Sequence, residues 1–375
     1  MRIYIIAGEA SGDLHASNFV RELKLINPKV ELRGWGGDLM QKQGVEVVKH
    51  YRELAFMGFI EVIKNLRTIL KNIQICVNDI TKYKPDAVVL VDYPGFNLRI
   101  AEKIKSTNVK IFYYISPQVW AWKQKRVYKI KKLVDRMFVI LPFEKSFYKK
   151  FDVDVDFVGH PLIDAIADYK TKEPNAKFRN TNNLGENKLI ALLPGSRKQE
   201  INVKLPIMLS IVHNFPQYTF VIAGAPSLTE TYYRSFHIPN NVKIVFNQTY
   251  SLLQNAYAAL VTSGTATLET ALFKVPQVVC YRGSTVSYHI AKKLIKVKYI
   301  SLVNLIADKI VVKELIQNEL NTNNLLHELT LITEDVNNRI NIKHEYEQLE
   351  KMLGGTGASK NVANAVFKSL QCLKN

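Results

Sequence analysis

Short apolar, β-rich runs alternate with stretches of helical periodicity along almost the whole chain, and the alternation appears twice. Ile3 to Ala7, Ala87 to Asp92, Lys110 to Ile115 and Arg136 to Ile140 have the continuous hydrophobicity of parallel strands covered on both faces. A second series runs through Lys188 to Leu193, Thr219 to Ala223, Val242 to Val245, Ala258 to Thr262 and Gln277 to Tyr281. Parallel strands need long, usually helical, crossovers, so each series predicts its own doubly wound α/β sheet. Between them, residues 168–187 are polar and carry Pro174, Gly185 and several asparagines, the composition of a linker without a core. The expected division is a first domain over 1–167, a second over 188–340, and C-terminal helices over 341–375. Those helices pack back on the first domain or on a partner chain; Gly354 to Gly357 reads as a break and Ser359 as the cap of the last helix.

A chain of 375 residues with 47% apolar content is well suited to two such domains. Its net charge of +18 implies an anionic partner or a lysine-rich surface, and nucleic acid, an anionic membrane and phosphorylated small molecules all compete for that charge. Cys76, Cys280 and Cys372 are far apart and lack zinc or redox spacing, which points to a reducing compartment. The apolar run after Arg2 ends at Gly8, too soon for a signal-peptide core. No uninterrupted apolar run reaches the ~18 residues that span a bilayer. A cytoplasmic protein with at most peripheral membrane contact is expected.

Two segments have the form of phosphate-binding turns. Pro194-Gly195-Ser196-Arg197 follows a strand and precedes Glu200, so a Gly-containing turn opens into a helix whose first amides lack partners. Those amides and the helix dipole favour an anion, and Arg197 adds a bidentate donor. The alternative is an ordinary strand-to-helix turn with a solvated arginine. Ser263-Gly264-Thr265-Ala266-Thr267-Leu268-Glu269 repeats the pattern after another strand. Small and hydroxyl residues at Ser263, Gly264, Thr265 and Thr267 allow close backbone approach to a diphosphate. Glu269, about one turn into the helix, could accept from both hydroxyls of a ribose. A capping box without a ligand is the competing reading. The fingerprints of dinucleotide oxidoreductases and of P-loop enzymes are both missing.

In the first half, Ser11-Gly12-Asp13-Leu14-His15 and Asp92-Tyr93-Pro94-Gly95-Phe96-Asn97 each follow a strand, at the sheet edge where α/β proteins place ligands. The site is therefore expected in an interdomain cleft. Asp92 could meet a substrate hydroxyl as a general base, or it could order the turn before Pro94. His15 and His160 are rival bases that also fit satisfied structural histidines. Asp152, Asp154 and Asp156 mimic an Asp-x-Asp metal motif, but period-two spacing puts three carboxylates on one exposed strand face, and no convergent ligands lie nearby in sequence. No metal or cofactor is called for.

Taken in order, Ala7-Gly8-Glu9-Ala10-Ser11-Gly12-Asp13, Asp92-Tyr93-Pro94-Gly95-Phe96-Asn97, Ser116-Pro117-Gln118-Val119-Trp120-Ala121-Trp122 and Phe157-Val158-Gly159-His160-Pro161-Leu162 resemble the lipid-A-disaccharide synthase family. The Pro-Gly-Ser-Arg turn, the Ser-Gly-Thr-Ala-Thr-Leu-Glu helix start and Ser301-Leu302-Val303-Asn304 extend the resemblance to about residue 305. It implies a GT-B fold of two Rossmann-like domains. It also implies transfer, with inversion, of 2,3-diacylglucosamine from UDP to the 6-hydroxyl of 2,3-diacylglucosamine 1-phosphate, giving a β-1,6 disaccharide. By the same resemblance Asp92 falls on the candidate base, Arg197 and Glu269 on the nucleotide site, and Asn304 on a polar site position. Ser11, Asp13, His15 and Trp120 fall on the acceptor side. Where the family commonly has Ser-Leu-Pro-Asn this chain has Ser-Leu-Val-Asn. A different lipid-acceptor transferase of the same fold, such as one adding N-acetylglucosamine to a cell-wall precursor, lacks its Gly-rich N-terminal loop here. A nucleotide- or membrane-binding module without turnover is the remaining alternative.

Acylated substrates need an apolar approach. Phe59, Ile63, Leu66 and Leu70, continued by Ile69, Ile73 and Cys76, follow helical spacing, with Lys64, Arg67 and Lys71 opposite. That pattern fits a helix on the inner surface of the cytoplasmic membrane, and it also fits a core helix. Lys123, Lys125, Arg126 and Lys129 interleave with Trp120, Trp122 and Tyr128 in a way that suits single-stranded nucleic acid. Anionic headgroups or a sugar phosphate account for the same charge and agree with the other motifs, so no nucleic-acid partner is expected. A homodimer is compatible with this reading and not required by it.

Overall fold

In the computed structural model the apolar runs become the middle strands of two parallel sheets. The structure describes residues 1–54, 66–172, 177–283 and 297–372. The first sheet contains β1 (Arg2–Ala7), β2 (Glu31–Gly36), β3 (Glu46–His50), β4 (Ala87–Val91), β5 (Lys110–Tyr114), β6 (Arg136–Val139) and β7 (Asp156–Phe157), in the order 3-2-1-4-5-6-7. The second contains β8 (Lys188–Leu193), β9 (Tyr218–Gly224), β10 (Val242–Phe246), β11 (Ala256–Thr262), β12 (Gln277–Tyr281) and β13 (Lys313–Ile316), in the order 10-9-8-11-12-13. Both orders reverse direction once, between β1 and β4 and between β8 and β11. At such a switch point the neighbouring loops leave on opposite faces and open a crevice at the carboxyl ends of the strands.

Alternation along each central strand divides the first core into two layers. Ile3, Ile5, Val89 and Val91 pack with Phe19, Val20 and Leu23 of helix Ala10–Ile26 on one face. Tyr4, Ile6, Val88 and Leu90 pack with Ile73, Cys76 and Ile80 of helix Leu66–Tyr83 on the other. In the second sheet Leu189, Ala191, Val221, Ala259 and Val261 form a comparable layer with Leu252 and Leu253.

Contacts divide the chain into two units, Ala165–Met352 and Met1–Asp164 joined by a C-terminal segment beginning at Leu353. Helix Ala358–Gln371 buries Val362, Val366 and Leu370 in the layer built on helix Ala10–Ile26. Its cap differs from the sequence expectation. Gly357 is the N-cap, and the carboxylate of Asp164 accepts from the backbone N–H of Gly357 at 2.6 Å and of Ser359 at 3.0 Å. A carboxylate nearly two hundred residues away thus does what Ser359 was expected to do, while Ser359 lies within the first turn.

Three further expectations change. The stretch expected to be a linker overlaps the end of helix Pro161–Lys172 and contains helix Phe178–Thr181, and it places Phe178 and Leu184 in the second core. The Asp-rich strand shrinks to Asp156–Phe157: Asp152 sits in a turn at φ 53°, and Asp156 pairs with Arg136 at 2.6 Å. The three carboxylates therefore share no strand face. Finally β2, β3 and β13, which flank the apolar strands, were not anticipated. They carry charged residues because strands toward a sheet edge face solvent on part of their surface.

Candidate functional site

The two switch points carry different chemistry. In the second unit, β8 ends at Leu193 and the chain turns through Gly195, at φ 121°, before helix Lys198–Leu209 begins with Arg197 as its N-cap. The turn favours glycine because its φ lies where L side chains are rarely found, and a Cβ would also press on the Glu200 side chain. Beside it β11 ends at Thr262, and Gly264, at φ 146°, is the N-cap of helix Thr265–Leu272. Both helix starts border one pocket of about 340 Å³, whose wall includes Gly195, Ser196, Arg197, Ser263, Gly264, Thr265 and Glu269. Two sets of helix-terminal amides, a guanidinium and no Cβ at the two turns make a receptacle for an anion.

Within this wall the side chains divide by role. Ser196 and Arg197 are exposed to the pocket. Ser263 Oγ donates to the carbonyl of Ile300 at 2.8 Å, which pins the turn. Thr267 is buried, with its hydroxyl donating to the carbonyl of Gly264 at 2.8 Å. It shapes the first turn of the helix and is absent from the pocket wall. Glu269 accepts from the Tyr250 hydroxyl at 2.9 Å through Oε1, which leaves Oε2 for a ligand. Burial raises its pKa, with the Tyr250 bond opposing. Tyr250 had no signal in the sequence, because it reaches Glu269 from a separate helix, Thr249–Asn255.

At the other switch point Asp92 follows β4 at φ 45° and Tyr93 follows at φ 47°, two consecutive non-glycine residues in the left-handed region. The surroundings hold this strained pair firmly. Asp92 N–H donates to Tyr114 O at 3.0 Å, and its carbonyl accepts from Tyr113 Oη at 2.6 Å and Asn97 Nδ2 at 2.7 Å. With its backbone tied down, the carboxylate has no side-chain hydrogen-bond partner among the described residues and accepts only from the Tyr93 backbone. Burial, with the charge of Glu9 adding to it, pushes the carboxyl up to about 6. Glu9, the N-cap of helix Ala10–Ile26, lies within the first of the motifs shared with the family but carries no signal of its own in the sequence. Its proximity to Asp92 comes from the pairing of β1 with β4.

The remaining residues expected on the acceptor side behave differently from one another. Ser11 is exposed on the first turn of its helix. Asp13 is buried and accepts from the backbone N–H groups of Gly37, Leu39 and Met40 at 2.8, 3.0 and 3.1 Å. All three bonds go to the start of helix Asp38–Lys42. His15 and His160 are buried, and burial pushes them down to about 4 and about 3. Both are neutral near pH 7, and His160 Nδ1 accepts from Leu162 N–H at 3.2 Å. Trp120 is buried edge-on against Phe143, with ring centroids 5.0 Å apart. Asn304 is fully buried: Nδ2 donates to Val312 O and Glu314 Oε1, and Oδ1 accepts from Val311 N–H and Val312 N–H. Every donor and acceptor of that amide is occupied by the loop it supports.

The amphipathic stripe divides as well. Phe59 and Ile63 lie outside the described residues, as does the side chain of Leu66. Ile73 and Cys76 belong to the core, whereas Leu70 is 52% exposed. Among the described residues no helix is long and apolar enough to cross a membrane, and no group of three His, Cys, Asp or Glu could hold a metal ion.

Two doubly wound domains of this kind are the GT-B fold. Solved structures bear this out at the level of fold alone. UDP-GlcNAc 2-epimerase from Neisseria meningitidis, bound to UDP-GlcNAc, aligns with a TM-score of 0.68 at 14% identity, covering 98% of this chain and 100% of that one. A putative UDP-N-acetylglucosamine 2-epimerase from Listeria monocytogenes aligns with a TM-score of 0.69 at 13% identity, covering 99% and 96%. Sequence is more specific. Residues 3–367 match the family described as lipid-A-disaccharide synthetase. The lipid-A-disaccharide synthase of Syntrophus aciditrophicus is 39% identical over 368 residues, covering 96% of each chain, and that of Coxiella burnetii is 37% identical, covering 97% of each. This chain belongs to the lipid-A-disaccharide synthase family, and it is a hexosyltransferase of lipid A biosynthesis.

Proposed function

We propose that the chain transfers 2,3-diacylglucosamine from its UDP derivative to the 6-hydroxyl of 2,3-diacylglucosamine 1-phosphate, and that Asp92 is the base. The observation that carries this reading is the Asp92 carboxylate, without a side-chain partner among the described residues and raised to about 6 at the end of β4. A base poised near neutral pH accepts the acceptor's proton efficiently and is still ionised under working conditions. As the proton moves to Asp92, the 6-oxygen forms its bond to the anomeric carbon from the face opposite the diphosphate. The bond to the diphosphate oxygen breaks, and UDP leaves with the electron pair. Attack from the opposite face inverts the centre and gives the β linkage.

The pocket of the second unit supplies the other half of the chemistry. Arg197, the turn amides at Gly195 and Ser196, and the helix-terminal amides at Gly264 and Thr265 are suited to stabilise the charge that develops on the departing diphosphate. Glu269, through its free Oε2, is suited to the hydroxyls of the uridine ribose. The decisive experiment incubates purified protein with both diacylated substrates and weighs the products by mass spectrometry. A disaccharide 1-phosphate should appear in step with UDP, and only when acceptor is present. UDP release without acceptor, or no product, overturns the reading.

Peripheral attachment to the inner surface of the cytoplasmic membrane belongs to the same proposal. It is supported by the exposed Leu70 and Ile75, by Trp122, 42% exposed with the Lys123 ammonium 4.3 Å above its ring, and by the net charge of +18.

A further inference from the structure

Lys204 is buried inside the second unit, on helix Lys198–Leu209, with 3% of its surface exposed. Its ammonium donates to Oγ1 of Thr262, at the carboxyl end of β11. Among the described residues it forms no ion pair. The carboxylate of Glu200, one turn earlier on the same helix, attracts it from farther away and is packed beneath Gly195. A buried cation without a paired carboxylate is costly, and an apolar side chain would fill the same space at no such cost. Something other than packing therefore favours lysine here.

The chemistry of the contact indicates what that is. An ammonium has donors only, so the Thr262 oxygen must accept, and the hydroxyl proton of Thr262 is left to donate elsewhere. Thr262 is part of the pocket wall, alongside Ser263, Gly264 and Thr265. Burial also lowers the pKa of Lys204, so an anion above Thr262 would stabilise the charged form.

We propose that Lys204 is a positioning residue for the diphosphate: it holds Thr262 so that the hydroxyl donates to a phosphate oxygen, and it places a positive charge without a direct ion-pair partner near that oxygen. The proposal rests on the pocket being the UDP site. A merely structural lysine would support the whole pocket equally, whereas a diphosphate-directed one discriminates between UDP and uridine.

The test measures UDP affinity by calorimetry and uridine affinity by ligand-observed NMR, using the full chain and its Lys204→Met, Thr262→Val and Thr262→Ser variants. Lys204→Met should weaken UDP binding by about tenfold or more, the scale of a lost charge-assisted hydrogen bond, and leave uridine binding unchanged. Thr262→Val should show the same selective loss, and Thr262→Ser should bind as wild type. If Lys204→Met binds UDP like wild type, or loses UDP and uridine in proportion, the proposal is wrong. Should Lys204→Met fail to fold, the threonine pair decides, and equal UDP affinity for the valine and serine variants refutes it. A wild-type protein that binds uridine but shows no preference for UDP also refutes it. One that binds neither ligand overturns the reading of the pocket itself, and the proposal with it.

Discussion

Asp92 gathers several physical constraints on one residue. Its left-handed backbone, with that of Tyr93, costs of order 1–3 kcal/mol per residue, and the bonds from Tyr113 and Asn97 hold it there. Because its folded pKa, about 6, lies above the ordinary 3.8, the ionised carboxylate destabilises the folded state. The sign follows from linkage. Below pH 3.8 both states are protonated and no penalty exists; it grows from there and is complete above pH 6. Asp92→Asn should therefore raise stability at pH 7.5 by up to about 3 kcal/mol, with the gain vanishing in acid. The same variant should lose roughly 10² or more in turnover and keep its UDP affinity. Urea unfolding at pH 7.5 and below pH 3.8, set beside kcat and calorimetry, checks both statements. A variant that is less stable at neutral pH and fully active would remove Asp92 from its role. Wild-type activity should also fall as pH drops through about 6, where the base becomes protonated.

At the scale of elements, helix Leu66–Tyr83 separates two readings that the amphipathic pattern left open. Ile73 and Cys76 face the sheet and Leu70 faces solvent, although all three lie on one broad apolar stripe. Ile73→Ala should cost about 2–5 kcal/mol of stability, the range for a buried large-to-small change. Leu70→Ser should leave the melting temperature nearly unchanged and reduce sedimentation with anionic vesicles. A large fall in melting temperature for Leu70→Ser, with vesicle binding intact, would count against the membrane proposal. The C-terminal helix offers a second case. Asp164→Ala leaves the amides of Gly357 and Ser359 without their acceptor and should cost about 1–2 kcal/mol, the scale of a lost N-cap. Asp164→Asn should recover part of that cost, since an amide oxygen still accepts.

For the whole molecule, the buried imidazoles are expected to contribute to the loss of stability in acid. His15 and His160 are held to about 4 and about 3, below the ordinary 6.5, so the unfolded chain takes up protons that the folded chain refuses. Stability contributed this way is complete above pH 6.5 and is lost as pH falls toward 4. Urea midpoints should decline from pH 7 to 5, and His15→Gln should flatten the decline. A profile as steep as that of wild type would assign the acid limb to other groups. At neutral pH, vesicle binding driven by the net charge of +18 should weaken as salt is raised from low to physiological strength.

What the amino-acid sequence determined by itself was everything encoded over a few neighbouring residues. The central strands were legible because both faces of a parallel sheet are covered, which forces continuous apolar runs such as Ala87–Val91. The two helix-start turns were legible because Gly195 and Gly264 stand where backbone geometry admits little else. The edge strands β3 and β13 were not, since partial exposure removes that apolar signature. Only the tertiary structure decided how equally plausible polar residues divide. Asp13 and Asn304 have their hydrogen-bonding capacity consumed by backbone groups, whereas Asp92 does not. Lys204 and Tyr250 enter the pocket's chemistry through contacts with Thr262 and Glu269 that no local pattern records. The reason is physical: a side chain's chemistry depends on which groups satisfy or desolvate it, and those groups are supplied by elements distant along the chain.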